Sequence, residues 1–254
     1  MRRLLALVGL LALMAGPAFA TAPDWTVDWG AVGRVRPAHL GSETYRTDLL
    51  PVLAATYGED LSVSIDDGGK WKLLKAGTLT AGPVAEYRQS FNDDLPKRGF
   101  RTRDAVEVGG FVEKQTPVGN IELRMRRALN GYRGWSGDLA FDTGGRVTPK
   151  LEVGAEARLA WADQRFTEEY FGQRRAPPPH FGGPHFHDND YLTAGFQVDA
   201  ARDLTTNTRL VAELSADRML GELPSRGLFP SRNVITASVG IVLHWSTSPL
   251  RSRP

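Results

Sequence analysis

The stretch Asn233-Val234-Ile235-Thr236-Ala237-Ser238-Val239-Gly240-Ile241-Val242-Leu243-His244-Trp245 sorts its residues onto two faces. Ile235, Ala237, Val239, Ile241, Leu243 and Trp245 fall on one; Thr236, Ser238, Gly240, Val242 and His244 fall on the other. Alternation at period two is the signature of a strand, because successive side chains leave a pleated backbone on opposite sides. The run is about twice as long as an ordinary soluble strand.

The same pattern repeats upstream. Leu210, Ala212, Leu214 and Ala216 oppose Arg209, Glu213, Ser215 and Asp217. Leu192, Ala194, Phe196, Val198 and Ala200 oppose Thr193, Gly195, Gln197 and Asp199. Leu151, Val153, Ala155, Ala157, Leu159 and Trp161 oppose Lys150, Glu152, Gly154, Glu156 and Arg158. The middle of the chain alternates less cleanly, with Ile121, Leu123 and Met125 against Glu122, Arg124 and Arg126. The N-terminal third suggests strands near 26–36, 49–57, 60–66 and 71–75. Short turns near 116–120, 143–145 and 204–207 are set against longer connections near 37–48, 90–103, 163–189 and 221–232.

Strands of roughly ten residues match what is needed to cross a bilayer at a tilt. Aromatics fall at strand ends (Trp25, Trp29, Tyr57, Trp71, Tyr132, Trp135, Trp161, Tyr191 and Trp245), as interfacial girdles do. A soluble sandwich would alternate too, but its solvent face would not need such long strands or so much charge. The expectation is an all-β, antiparallel up-and-down transmembrane barrel of about twelve strands, within a range of ten to fourteen. Its charged face then lines the lumen, with Arg124, Arg126, Glu152, Glu156, Arg158 and Glu213 as the central cluster. In so narrow a barrel these groups meet, so a salt-bridged, occluded interior is expected ahead of an open pore.

The first twenty residues read as a cleavable signal peptide: Arg2 and Arg3, an apolar run from Leu4 to Ala15, then Ala18-Phe19-Ala20. Residues 21–245 would form the barrel and 246–254 a short tail. The chain carries 31 Lys and Arg against 29 Asp and Glu; without Arg2 and Arg3 the two are equal, so no nucleic-acid partner is expected. The absence of cysteine removes thiol catalysis and Cys-based metal centres.

These residues resemble the MipA/OmpV family of outer-membrane proteins over essentially the whole mature chain. The resemblance rests on Gly30, Gly33 and the run Pro37-Ala38-His39-Leu40-Gly41-Ser42-Glu43-Thr44-Tyr45. It continues through Asp66-Asp67-Gly68-Gly69-Lys70-Trp71, Gly82-Pro83-Val84 and Gly131-Tyr132-Arg133-Gly134. Trp161-Ala162-Asp163 leading to Tyr170-Phe171-Gly172 is the most specific part, and Leu220-Gly221 with the last amphipathic strand completes it. Membership implies an outer-membrane location and a scaffold role that joins a murein hydrolase to a murein synthase, with no catalytic residues and no cofactor. A narrow diffusion pore is the alternative function.

Chemistry-bearing motifs are few. The loop Pro177 to Asp190 holds His180, His185 and His187 beside Asp188. A solvated Pro/Gly-rich loop is the simpler reading, and a weak Zn²⁺ or Cu²⁺ site is the sharper one. No nucleophile elbow and no phosphate-binding glycine loop is present.

Overall fold

The structure, a computed structural model, describes residues 24–89, 103–170, 191–220 and 231–247. The strands are β1 (Trp25–Pro37), β2 (Tyr45–Tyr57), β3 (Leu61–Ser64), β4 (Gly68–Trp71), β5 (Leu74–Ala76), β6 (Leu79–Arg88) and β7 (Ala105–Thr116). They continue with β8 (Gly119–Ala128), β9 (Trp135–Thr148), β10 (Leu151–Ala162), β11 (Tyr191–Asp203), β12 (Thr208–Met219) and β13 (Asn233–Ser246). One short helix, α1 (Gln164–Tyr170), follows β10.

Nearly every strand pairs antiparallel with the next. β1 pairs with β13, and β4 with β6, which closes the sheet into a ring of twelve strands with β5 as a short appendage on β6. The β1–β13 pairing removes the two end edges of the meander, a condition for spanning a bilayer with strands.

The register assigns every side chain to one of two sides. On β10 and β11, Ala157 faces Phe196 and Leu159 faces Ala194 on one side, while Glu156 faces Gln197 and Gly154 faces Asp199 on the other. The apolar side is outermost: Leu49 is 79% exposed, Leu214 and Val239 55% each and Phe196 54%. A belt of large hydrophobics this extensive is not viable against water and needs lipid over it. Two aromatic girdles bound the belt. Trp25, Trp29, Tyr57, Trp71 and Trp245 lie toward one rim, and Tyr45, Tyr87, Trp135 and Trp161 toward the other.

The first rim carries the tight connections at 58–60, 117–118, 149–150 and 204–207, and both ends of the ring, where the Trp25 amide donates to Thr247 Oγ1 at 2.9 Å. The other rim carries the long connections. This asymmetry assigns the short-turn rim to the periplasm and the long-loop rim to the exterior.

Five details differ from the sequence reading; the first is that 143–145, expected to be a short turn, lies inside β9, and the turn falls at 149–150. Strand β2 begins at Tyr45, inside the stretch 37–48 expected to be a loop, because Arg46 and Asp48 are lumen residues and Asp48 pairs with both Arg46 and Arg36. The residues 60–66 and 71–75 are not two crossing strands. Leu61–Ser64 and Gly68–Trp71 instead form a stub hairpin, β3–β4, that turns back at 65–67, part-way up the wall, with Gly68 at φ 73° and the Asp67 amide donating to Ser64 Oγ. Tyr132 and Tyr191 belong to no girdle; they point inward. Helix α1 lies in what was expected to be loop.

The hairpin has a consequence for the wall. Only Ala54–Tyr57 of β2 pair with β3, so among the described residues β2 from Tyr45 to Val52 has a ladder partner on its β1 side alone.

Candidate functional site in the lumen

Strands β6 to β9 bring one charged residue after another to the inner wall. Register puts Glu86 beside Glu107, Glu113 beside Glu122, and Arg124 beside Asp138. Neighbouring carboxylates repel, and the bases between them offset that repulsion. Arg126 donates to Glu86 and to Asp138, and lies 3.6 Å from Glu107. Arg124 reaches Glu122 at 2.5 Å and Asp138 at 3.3 Å. Arg88 donates to Glu107 at 2.9 Å. Lys70, delivered by the stub hairpin, bonds Glu113 at 2.6 Å and also Glu122, with Lys72 at 3.6 Å from Glu113. Five bases thus face five acids. Glu107, fully buried, also accepts from Tyr132 Oη and from Ser136 Oγ.

The residues expected to form one lumen cluster separate into several groups. Arg124 and Arg126 are in the wall just described. Arg158 lies 3.7 Å from Glu156 and 3.6 Å from Asp217, on the next strands round. Glu152 pairs with Arg209 at 2.8 Å, in a separate group with Asp203 nearer the periplasmic rim. Glu213 sits opposite Asp199 across β11 and β12. Two inward glycines make room for carboxylates: a Cβ on Gly195 would stand 2.0 Å from Asp217 Oδ1, and one on Gly154 2.6 Å from Asp199 Oδ1.

Above this layer the lumen holds a small apolar cluster. Ala105, Ala128, Tyr132, Ala162 and Phe166 are buried together, with Tyr170 and Tyr191 against them. Helix α1 supplies Phe166 and Tyr170. Asp163 caps it, its Oδ1 accepting from the Phe166 amide at 2.8 Å. Gly134, at φ 124°, lets the chain pass within reach of Phe166, where a Cβ would stand 2.4 Å from its nitrogen. Burial raises the Tyr132 hydroxyl above the ordinary tyrosine range. Two cavities lie among the described residues. One of about 320 Å³ is at the charged layer, and one of about 420 Å³ lies above it beneath α1.

Sequence reasoning overlooked Lys70, Tyr132 and Arg34 as lumen groups. The even-numbered positions of β1, from Asp28 to Arg36, carried the signal for Arg34; nothing local marked the other two. His180, His185, His187 and Asp188 lie outside the described residues. Among the described residues no group of three His, Asp or Glu side chains is arranged to hold a metal.

The chain is similar to the COG4313 outer membrane channel from Pseudomonas putida F1, at 12% identity over 91% of this chain and 98% of that one, with a TM-score of 0.45. It is similar to a loop L8 deletion mutant of OmpT, an outer membrane protein of Vibrio cholerae, at 10% identity over 89% and 100% with a TM-score of 0.40. It is also similar to Neisserial surface protein A, at 10% identity over 87% and 95% with a TM-score of 0.29. No curated protein sequence matches the chain. The profile of the family described as MltA-interacting protein MipA matches residues 29–245, from the first strand to the last, and this outer-membrane β-barrel belongs to that family.

Proposed function

We propose that the barrel is a structural scaffold of the outer membrane that holds a murein-remodelling enzyme at its periplasmic rim. The segment Met1–Ala20 would direct export and then be cleaved off. The observation that carries this reading is the charge-paired inner wall. Opposed charges meet in balanced pairs along β6 to β9, and α1 lies over them, an interior suited to stiffness more than to flow. The family description, MltA-interacting protein, supports an MltA-type enzyme as the partner, and a murein synthase as second member is part of the proposal. Toward the periplasmic rim, Val118 at a turn, Val147 near the end of β9 and Leu204 expose apolar side chains. Apolar residues beyond the girdle suit a protein contact.

The test is capture. Detergent-extracted barrel should co-purify with a lytic transglycosylase, and the triple variant Val118→Asp, Val147→Asp, Leu204→Asp should lose it while keeping heat-dependent gel mobility. A partner retained by that variant, or none captured by the wild type, overturns the proposal. The two lumen cavities favour a second reading, a narrow channel. It requires steady single-channel openings in planar bilayers that change size when Arg126→Ala is introduced.

A further inference from the structure

The hairpin of β5 and β6 overhangs its neighbour at the periplasmic rim. Strands β4 and β5 follow one another along β6, with Lys70 opposite Val84 and Leu74 opposite Ala81. Trp71 of the girdle stands at the end of β4, so β5 lies beyond it, toward the periplasm. On the far side of this line the neighbour is β3, and it stops first. The β2–β3 turn at 58–60 closes where the Lys72 amide donates to the Asp60 carbonyl at 2.7 Å. Beyond Lys72, among the described residues, β5 has a ladder partner on its β6 side alone, and the sheet order ends on it.

The turn fixes which backbone groups this edge offers. Gly77, at φ 61°, opens a two-residue connection, with Ala76 opposite Leu79. In such a hairpin the residues flanking the turn bond to each other, and the next pair directs its backbone groups outward. That next pair is Lys75 and Thr80. The Thr78 carbonyl, which accepts from the Gln115 amide at 2.8 Å, follows the same alternation: even positions here turn toward β7. The N–H and C=O of Lys75 therefore point away from β6, off the edge of the sheet. All three residues of β5 are exposed, and Leu74, on the outward face, is 68% exposed with Leu73 beside it. The Lys75 ammonium lies 2.5 Å from the Asp60 carboxylate, a contact in water that ties down the side chain and not the backbone.

An open strand edge beside exposed leucines is a template for another strand. A second copy of this chain does not fit it, because antiparallel pairing of two β5 edges would turn the second barrel upside down in the bilayer. A segment of a periplasmic protein is free of that constraint. Val118, on the β7–β8 turn that follows, makes the edge continuous with the apolar rim positions described above. We propose that β5 is a docking edge on which an extended segment of the periplasmic partner adds as a strand, antiparallel to residues 73–76, with an apolar side chain against Leu74. The proposal rests on the scaffold reading and deepens it, since it names the mode by which the rim would hold its enzyme.

The experiment uses the full barrel in phosphatidylcholine nanodiscs and a purified lytic transglycosylase of the MltA type. Hydrogen–deuterium exchange reads the edge directly: bound enzyme should slow exchange across residues 73–76 about tenfold or more. That measurement needs no variant, so it stands even where a substitution impairs folding. Lys75→Pro removes the outward N–H and should weaken binding about tenfold or more with heat-dependent mobility intact, whereas Lys75→Ala, which keeps the amide, should weaken it less than about twofold. Enzyme that binds without slowing exchange at 73–76, or that binds Lys75→Pro as tightly as the wild type, overturns the docking edge and leaves the scaffold reading standing. Exchange at 73–76 that slows when the barrel alone is concentrated assigns the edge to a second copy and overturns the proposal too. A wild type that binds no enzyme at all overturns the scaffold reading, and the docking edge with it.

Discussion

The two sides of the lumen are built on different principles. From β6 to β9 the inner wall is almost wholly ionised, and each group answers one on a neighbouring strand. Across the bore, β1, β2 and β13 place Gly30, Val32, Leu50, Val52, Ser238, Gly240 and Val242 at the inner positions of their middle stretches. Both walls carry the same apolar exterior, so lipid does not impose the difference. The charged wall is a cross-braced unit whose members depend on one another. The plain wall carries no charge at these positions. The lesson is that alternation defines two faces but leaves open whether the inner one closes the bore or leaves room in it.

The contrast is sharpest at Glu107. Glu107→Ala should destabilise the barrel by about 3 kcal/mol, because it strands Arg88 and Arg126 in a buried layer; Ser238→Ala on the plain wall should stay within about 0.5 kcal/mol. Urea unfolding in lipid vesicles measures both, and similar losses at the two positions would dissolve the distinction. Tyr132→Phe should cost about 1.5 kcal/mol, the loss of one hydrogen bond to a charged acceptor. It should also flatten the stability profile in alkali. The native hydroxyl is raised, so its contribution is intact below about pH 10, where the unfolded tyrosine titrates, and declines as pH rises beyond that. A wild type no more alkali-sensitive than the variant would remove Tyr132 from the brace. Gly195→Ala, where the new methyl meets only the movable Asp217 carboxylate, should cost about 1 kcal/mol or less and weaken the Arg158 contact. A thermal shift equal to that of Glu107→Ala would mean the brace extends round to β11 and β12.

The long strands were readable because each offers at least five alternations, enough to separate period two from period 3.6. That covers β10 to β13 and, with more noise, β7 to β9, and it placed Arg124, Arg126, Glu152, Glu156, Arg158 and Glu213 on the lumen side. The stub hairpin was not readable. Four residues per strand give two alternations, and Asp66-Asp67-Gly68-Gly69 reads equally well as any turn. Nor could alternation pair the charges. Lys70 meets Glu113 and Glu122 from more than forty positions away, through a closure at β4–β6 that only the folded ring defines. Tyr132 looked like a girdle aromatic because it stands beside Trp135. Its inward turn follows from Gly131 and Gly134, both at positive φ, which carry the connection back over the lumen.

The seam between β1 and β13 joins residues about two hundred positions apart, with Thr26 opposite Ser246 and Val35 opposite Ala237. Loop-closure entropy opposes such a contact until the intervening meander is in place. Insertion is therefore governed by its final stitch. Until β13 arrives, β1 and β12 each present a raw edge to their surroundings, and a cell making this protein must shelter both for as long as the last segment is outstanding.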